Sequence, residues 1–171
     1  MKPIIREVTV ELKQAREIAD SVVERFRPLC SKIGVVGSIR RRRPFPADID
    51  LVLIPEDRYA FDRILMDMAV EETGSPKLKK AGPKYARIDF RGIPIDIYYA
   101  TPETWATLVL IRTGSKRHNI TLADHAKKKG WRLHASGDGL FDENDQRIAG
   151  DTEKSIFEAL GLPYKAPELR E

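Results

Sequence analysis

The sequence predicts an α+β fold: a mixed β-sheet with helices on one face, followed by a smaller helical/β unit. Three observations lead there. Helix-period and strand-period segments alternate through the first hundred residues, the strand-like segments are apolar yet carry aspartates, and the pattern turns mainly helical after Thr101-Pro102. With 171 residues the chain fits one domain, or a domain with a small appendage packed on it. It contains no internal repeat and no low-complexity segment.

Taken in order, Leu12, Ala15, Ile18, Ala19, Val22, Val23 and Phe26 recur at the spacing that lines one face of a helix. Residues 32–36 read as a short strand, followed by a Gly37-Ser38 turn and four arginines at 40–43. Residues 48–54 alternate and are β-rich, so they form a strand that ends at Pro55. Phe61, Ile64, Leu65 and Met68 mark a second helix. Strands at about 85–90 and 95–99 flank Arg91-Gly92-Ile93-Pro94 and read as a hairpin. Beyond residue 101, helices are expected over 103–111 and 116–129, the second stopped by Gly130. Residues 131–148 hold short strand-like pieces broken by Ser136-Gly137-Asp138-Gly139, a loop composition. A last helix covers 151–160 with Asp151 or Thr152 as its cap, and the proline-rich tail from 163 reads as extended.

Composition narrows the setting. Lysine and arginine outnumber aspartate and glutamate by 30 to 26, which suits a polyanionic partner where the cations cluster. Such clusters stand at Lys77, Lys79, Lys80 and Lys84, at Lys116-Arg117, and at residues 127–129 with Arg132; each could follow a nucleic-acid backbone. Cys30 is the single cysteine, so no intrachain disulfide can form; a reducing compartment and a core-filling role are expected. No apolar leader follows the first charges, and the longest apolar stretch, near 106–111, is too short for a bilayer. The expectation is an intracellular protein without a signal peptide or membrane contact. His118, His125 and His134 are expected to be solvated or to face DNA, and Trp105 and Trp131 to pack.

The chemistry lies in Asp48-Ile49-Asp50. Two residues apart on a strand, both carboxylates point to one face, and like charges so placed call for a cation between them. Oxygen-only ligands suit a hard ion such as Mg²⁺. A third acid in an apolar strand would complete a site for two metals, and both Asp96 in Ile95-Asp96-Ile97 and Asp89 in Ile88-Asp89-Phe90 qualify; spacing does not choose between them. The Gly37-Ser38 turn offers backbone N–H groups and a hydroxyl to phosphate oxygens, and the arginines after it suit phosphate recognition.

Gly37-Ser38-Ile39-Arg40-Arg41 through Asp48-Ile49-Asp50, then Ile95-Asp96-Ile97, Thr113-Gly114-Ser115 with Asn119, and Gly161-Leu162-Pro163-Tyr164 with Pro167-Glu168 resemble the family X DNA polymerases, of the DNA polymerase beta type. The resemblance covers nearly the whole chain. It implies a nucleotidyltransferase palm over residues 1–101 and a thumb subdomain over 102–171, a reduced form of the kind found in a short viral polymerase. It selects Asp96 as the third carboxylate. It further implies that Asp48 and Asp50 bind both metals, that Asp96 binds the catalytic one, and that the ions are two Mg²⁺, with Mn²⁺ as a substitute. Nucleotide contacts would come from Gly37, Ser38, Arg41, Ala47, Gly114, Ser115 and Asn119, while Arg40 would tie palm to thumb.

The implied activity is addition of dNMP from dNTP to a DNA primer 3′-hydroxyl, as in short-gap filling during repair, by a cytoplasmic, nucleoid-associated monomer on primer-template or gapped DNA. The alternatives are a related nucleotidyltransferase acting on a protein, an RNA end or a small molecule, and an untemplated, terminal-transferase-like polymerase. Three departures stand out: Ala47 where the family has glycine, Pro94 where a basic residue is common, and Ile111-Arg112 where aromatic residues monitor the sugar. Isoleucine is narrower than a ring and arginine can swing into solvent, so ribonucleotides should be better tolerated than in a tightly gated polymerase.

Overall fold

The computed structural model describes residues 10–75 and 78–171. Lys77 and the charges at the N-terminus therefore lie outside the described residues.

The first helix, α1 (Leu12–Phe26), has the bounds that its apolar period predicts, and it buries Ala15, Ile18, Ala19, Val22, Val23 and Phe26. A single 3₁₀ turn leads into β1 (Cys30–Val35). The expected Gly-Ser turn is instead the start of a one-turn helix, α2 (Gly37–Arg40), in which Arg41 N–H reaches back to the Gly37 carbonyl. Strand β2 (Ile49–Pro55) and helix α3 (Arg58–Thr73) follow. The helix starts where the Asp57 carboxylate accepts from the Tyr59 and Ala60 N–H groups, and it stops at Gly74 with φ +70°. Next come β3 (Lys80–Ala81), β4 (Tyr85–Phe90) and β5 (Ile93–Tyr99), the last two forming the expected hairpin.

The five strands lie in the order β1-β2-β5-β4-β3. Only β2 and β5 run parallel; every other pair is antiparallel, so the sheet is mixed. Side-chain alternation then divides its two faces. Ile49, Leu51, Leu53, Ile95 and Ile97 are 0 % exposed and pack on the α1 and α3 side with Phe26, Phe61, Leu65 and Met68. On the other face, Val52 joins Val36, Ala100 and Leu108 in a smaller cluster under Trp105, so this tryptophan packs as expected.

The second unit comprises α4 (Trp105–Thr113), α5 (Lys116–Lys128), α6 (Glu153–Leu160) and a three-stranded antiparallel sheet of β6 (Arg132–His134), β7 (Gly139–Phe141) and β8 (Arg147–Ala149). Its core is Leu110, Leu122, Ala126, Leu140, Ile156, Phe157 and Leu160, with Trp131 against it. Thr152, one of the two expected caps, closes α6 in a capping box with Ser155.

The tail is not simply extended. It makes a 3₁₀ turn at Pro167–Leu169 and buries Arg170 completely. Arg170 donates to Glu153 Oε1 (3.0 Å) and to the Lys165 carbonyl (2.9 Å). Arg40 reaches the same Glu153 at 2.8 and 2.7 Å, and Thr113 Oγ1 at 2.6 Å. Burial alone would raise the Glu153 pKa, but hydrogen bonds from the two arginines outweigh it and hold the carboxyl below its ordinary range. Helix α2, α6 and the tail are thus joined through one carboxylate.

Candidate active site

Parallel pairing of β2 with β5 sets Asp50 directly beside Asp96. Asp48 is not on the strand, which begins at Ile49; the chain is still bending after the buried Pro46. Asp89 lies on the same face of β4 as Arg87, but its register partner is Pro94 and its carboxylate is ion-paired with Lys79. Of the two rival third acids, Asp96 therefore adjoins Asp50.

Gly37 makes the other wall. Its φ is +63°, and a Cβ there would stand 1.9 Å from Asp50 Oδ2. Only a residue without a side chain lets α2 come this close to the carboxylate. Ser38 follows with a buried hydroxyl that has no hydrogen-bond partner among the described residues. Arg41 leaves the end of α2 and donates to the Thr113 carbonyl, while its Nε is buried without a partner among the described residues.

The carboxylates repel one another. Asp50 is pushed up to about 7, first by burial and then by the charges of Asp48 and Asp96, with Arg112 and Arg41 opposing. Asp48 is raised in the same way, by burial and then by Asp96. Asp96, 4 % exposed, accepts from the Tyr85 hydroxyl at 2.5 Å and from Arg87 Nη1 at 3.2 Å. Among the described residues no three histidine, cysteine or carboxylate side chains close into a ready-made metal cage. The donor set nonetheless suits a hard divalent cation: it is all oxygen, crowded, and short of positive charge at Asp50.

Asp48 and Asp50 open into a cavity of about 520 Å³ between the sheet and α5. Gly37, Ser38, Arg41, Gly114 and Asn119 also line it, so seven of the ten candidate metal and nucleotide ligands named from sequence meet there. Ala47, Ser115 and Asp96 do not line it; Ser115 caps α5, accepting from the His118 N–H at 3.2 Å. Asn119 donates to the Ile111 carbonyl at 2.7 Å, and its own Oδ1 is buried and has no partner among the described residues. Sequence reasoning gave no role here to Tyr98, Lys116 or Ile120, which share the lining with Ile111 and Arg112. A signal for Tyr98 was available: it stands two residues after Asp96, hence on the same strand face.

Two expectations need correction. Arg112 does not swing into solvent: its guanidinium lies 4.2 Å from the Tyr98 ring centroid, and its Nε is buried. His118 neither faces solvent nor lies free for DNA. It is 5 % exposed beside Phe157, and burial, then Arg170 and Lys165, push its pKa down to about 4.

Comparison with known proteins bears on this geometry. Residues 108–171 match the family model for the DNA polymerase beta thumb. The chain is 26 % identical over 147 residues to repair DNA polymerase X of African swine fever virus (isolate Warthog/Namibia/Wart80/1980), covering 83 % of each chain. It is 26 % identical over 166 residues to DNA polymerase/3'-5' exonuclease PolX of Bacillus subtilis, and there covers 94 % of this chain but 27 % of that protein. Against DNA polymerase lambda of Rattus norvegicus it is 27 % identical, over 97 % of this chain and 32 % of the relative. The fold is similar to that of Leishmania infantum polymerase beta in a ternary P/T complex, with a TM-score of 0.76 at 22 % identity over 95 % of this chain and 77 % of the other. A ternary gap complex of that protein gives 0.77 at 21 %, over 95 % and 71 %. No helix among the described residues is long and apolar enough to cross a membrane.

Proposed function

We propose that the chain is a DNA-directed DNA polymerase of the family X kind, adding dNMP from dNTP to a primer 3′-hydroxyl and filling short gaps in DNA repair; its likeness to repair DNA polymerase X and the match of residues 108–171 to the polymerase beta thumb support the reading. One observation carries the reading: the Asp50–Asp96 pair abuts Gly37-Ser38 beside a cavity rich in unsatisfied polar atoms. In this reading residues 1–101 are the palm and 102–171 the thumb.

Asp48, Asp50 and Asp96 would hold two Mg²⁺ ions, which when bound neutralise the triphosphate and favour deprotonation of the attacking hydroxyl. The chain supplies the rest. The unpaired Ser38 hydroxyl donates to a phosphate oxygen, and Arg41, anchored on the Thr113 carbonyl, presents its remaining N–H groups to the triphosphate. Lys116 adds positive charge at the far wall. Gly114 and Asn119 face the nucleoside, where the free Asn119 Oδ1 accepts a hydrogen bond. Asp96 orients the primer hydroxyl and takes up its proton as the oxygen attacks the α-phosphorus and pyrophosphate leaves.

The test is extension of a labelled primer in three settings: gapped duplex, primer-template and single strand, each with dNTP and Mg²⁺. Growth on the gapped substrate in the wild type, and none with Asp50→Asn, is expected. Label passing to protein or RNA instead, or equal growth on single strands, would replace this reading by another nucleotidyl transfer.

A further inference from the structure

Strand β4 gives Asp96 two partners that the Gly37 cradle does not require. Antiparallel pairing sets Arg87 opposite Asp96 and Tyr85 opposite Tyr98, and alternation places Tyr85 and Arg87 on the face that carries the carboxylate. The Tyr85 hydroxyl takes Oδ1 and Arg87 Nη1 takes Oδ2, so both oxygens are engaged from a single strand. Among the described residues, neither Asp48 nor Asp50 receives any side-chain hydrogen bond of this kind. Tyr85 is itself steadied by the Tyr98 ring at 5.3 Å.

We infer that Tyr85 and Arg87 form a clamp on Asp96: two positioning residues that fix the orientation of this carboxylate, with Arg87 also opposing entry of a cation beside it. The first effect follows from geometry. A carboxylate held at both oxygens cannot rotate, so the lone pair it offers toward Asp48 and Asp50 has one direction. The second follows from charge. A divalent ion approaching Asp96 meets a guanidinium already bound there, and the two cations repel. The clamp therefore trades metal affinity against alignment, and the two properties should move in opposite directions when the Arg87 charge is removed. Its alignment half rests on the polymerase reading; its cation half does not.

The experiment compares wild type, Arg87→Gln, Arg87→Lys, Tyr85→Phe and Asp96→Asn, each checked for folding by circular dichroism. Mn²⁺ binding to the protein alone is read from the loss of the free-ion electron paramagnetic resonance signal, and kcat and KM for dNTP come from gapped-primer extension. With Arg87 only partly buried, its removal should tighten Mn²⁺ about three- to tenfold. The same variant should lower kcat about tenfold, a loss of ~1.4 kcal/mol of transition-state stabilisation, with KM for dNTP little changed. Arg87→Lys keeps the charge and should restore wild-type Mn²⁺ binding with part of kcat. Tyr85→Phe removes a donor but no charge, so kcat should fall while Mn²⁺ binding stays within about twofold.

Weaker Mn²⁺ binding in Arg87→Gln, or unchanged kcat in both clamp variants, would overturn the clamp. So would a wild type that binds no Mn²⁺. If Asp96→Asn abolishes extension while the clamp variants behave as wild type, the clamp fails and the polymerase reading stands. If no form extends a primer but Mn²⁺ binding tightens in Arg87→Gln alone, the polymerase reading fails and the cation half of the clamp stands.

Discussion

The two faces of the β2–β5 pair differ by one residue of register and in almost everything else. Ile49, Leu51, Leu53, Ile95 and Ile97 look toward α1 and α3 and are closed to water. Asp50 and Asp96, interleaved with them, look the other way: Asp96 is paired with Arg87, while Asp50 is left buried beside two like charges. Adjacent positions on one strand thus serve opposite ends: one face holds the sheet in place, and the other is left electrostatically strained by design of its sequence. Stability and chemistry should then separate by parity.

The largest expected effect lies on the acidic face. Asp50→Asn and Gly37→Ala should each abolish primer extension, the second because its new Cβ would displace the Asp50 carboxylate. Asp89→Asn, whose carboxylate belongs to Lys79, should leave kcat near wild type. Single-turnover extension measures all three, and an active Gly37→Ala would show that the close approach is dispensable.

On the apolar face, Leu51→Ala should cost about 2–5 kcal/mol of stability through cavity formation. The fraction that stays folded should keep its kcat. Urea denaturation against specific activity of the folded protein separates the two, and a kcat loss without a stability loss would break the division by parity.

The strain itself can be measured. In metal-free protein, the Asp50 carboxyl titrates at about 7 when folded against 3.8 in a model peptide, so folding favours its protonated form. Below about pH 4 both states are protonated and nothing is lost; as pH rises to about 7 the folded state is penalised, and above that the penalty is constant. Asp50→Asn should therefore stabilise the EDTA-treated protein on the order of 2 kcal/mol at pH 8 and by little at pH 4. Thermal melts across that window give the answer; a variant no more stable at pH 8 than wild type would remove the conflict from the account.

Smaller still is the sugar effect. Ile111 lines the cavity without an aromatic ring, so replacing it with tyrosine should raise the preference for dGTP over GTP by about one to two orders of magnitude in kcat/KM, at ~1.4 kcal/mol per tenfold. Since Arg112 is stacked on Tyr98 and cannot swing aside freely, the lower end is expected. Last, Lys154→Ala breaks an exposed i,i+4 pair with Glu158 and should change stability by less than about 0.5 kcal/mol.

What could be read from sequence follows the range of the forces involved. Helix α1 is legible to its ends because its period is local and its apolar face is complete. The β4–β5 hairpin is legible because its turn lies between its strands. Strand β3 was not, since two lysine- and alanine-bearing residues become a strand only when β4 pairs with them. The Gly37-Ser38 segment reads as a turn and folds as the start of a helix, because one turn has no period to read. Asp48 and Asp50 stand out by chemistry, whereas Asp96 and Asp89 read alike in sequence; long-range strand register is what sets Asp96, and not Asp89, beside Asp50. Buried cations were hardest: Arg170 carries no apolar signal and is buried by its bonds to Glu153 and to the Lys165 carbonyl.

The contact between Gly37 and Asp50 has a consequence for how such a site can change over generations. The volume that a side chain at 37 would need is already occupied by the carboxylate at 50. The two positions therefore share one space, and the tolerated residue at either depends on the other. Drift cannot explore them one at a time: any first step at 37 meets the acid, and any enlargement at 50 meets the backbone. A lineage that kept the chemistry would hold both fixed, while one that lost it would free both together, so the pair should record in a single joint state whether selection for the chemistry is still acting.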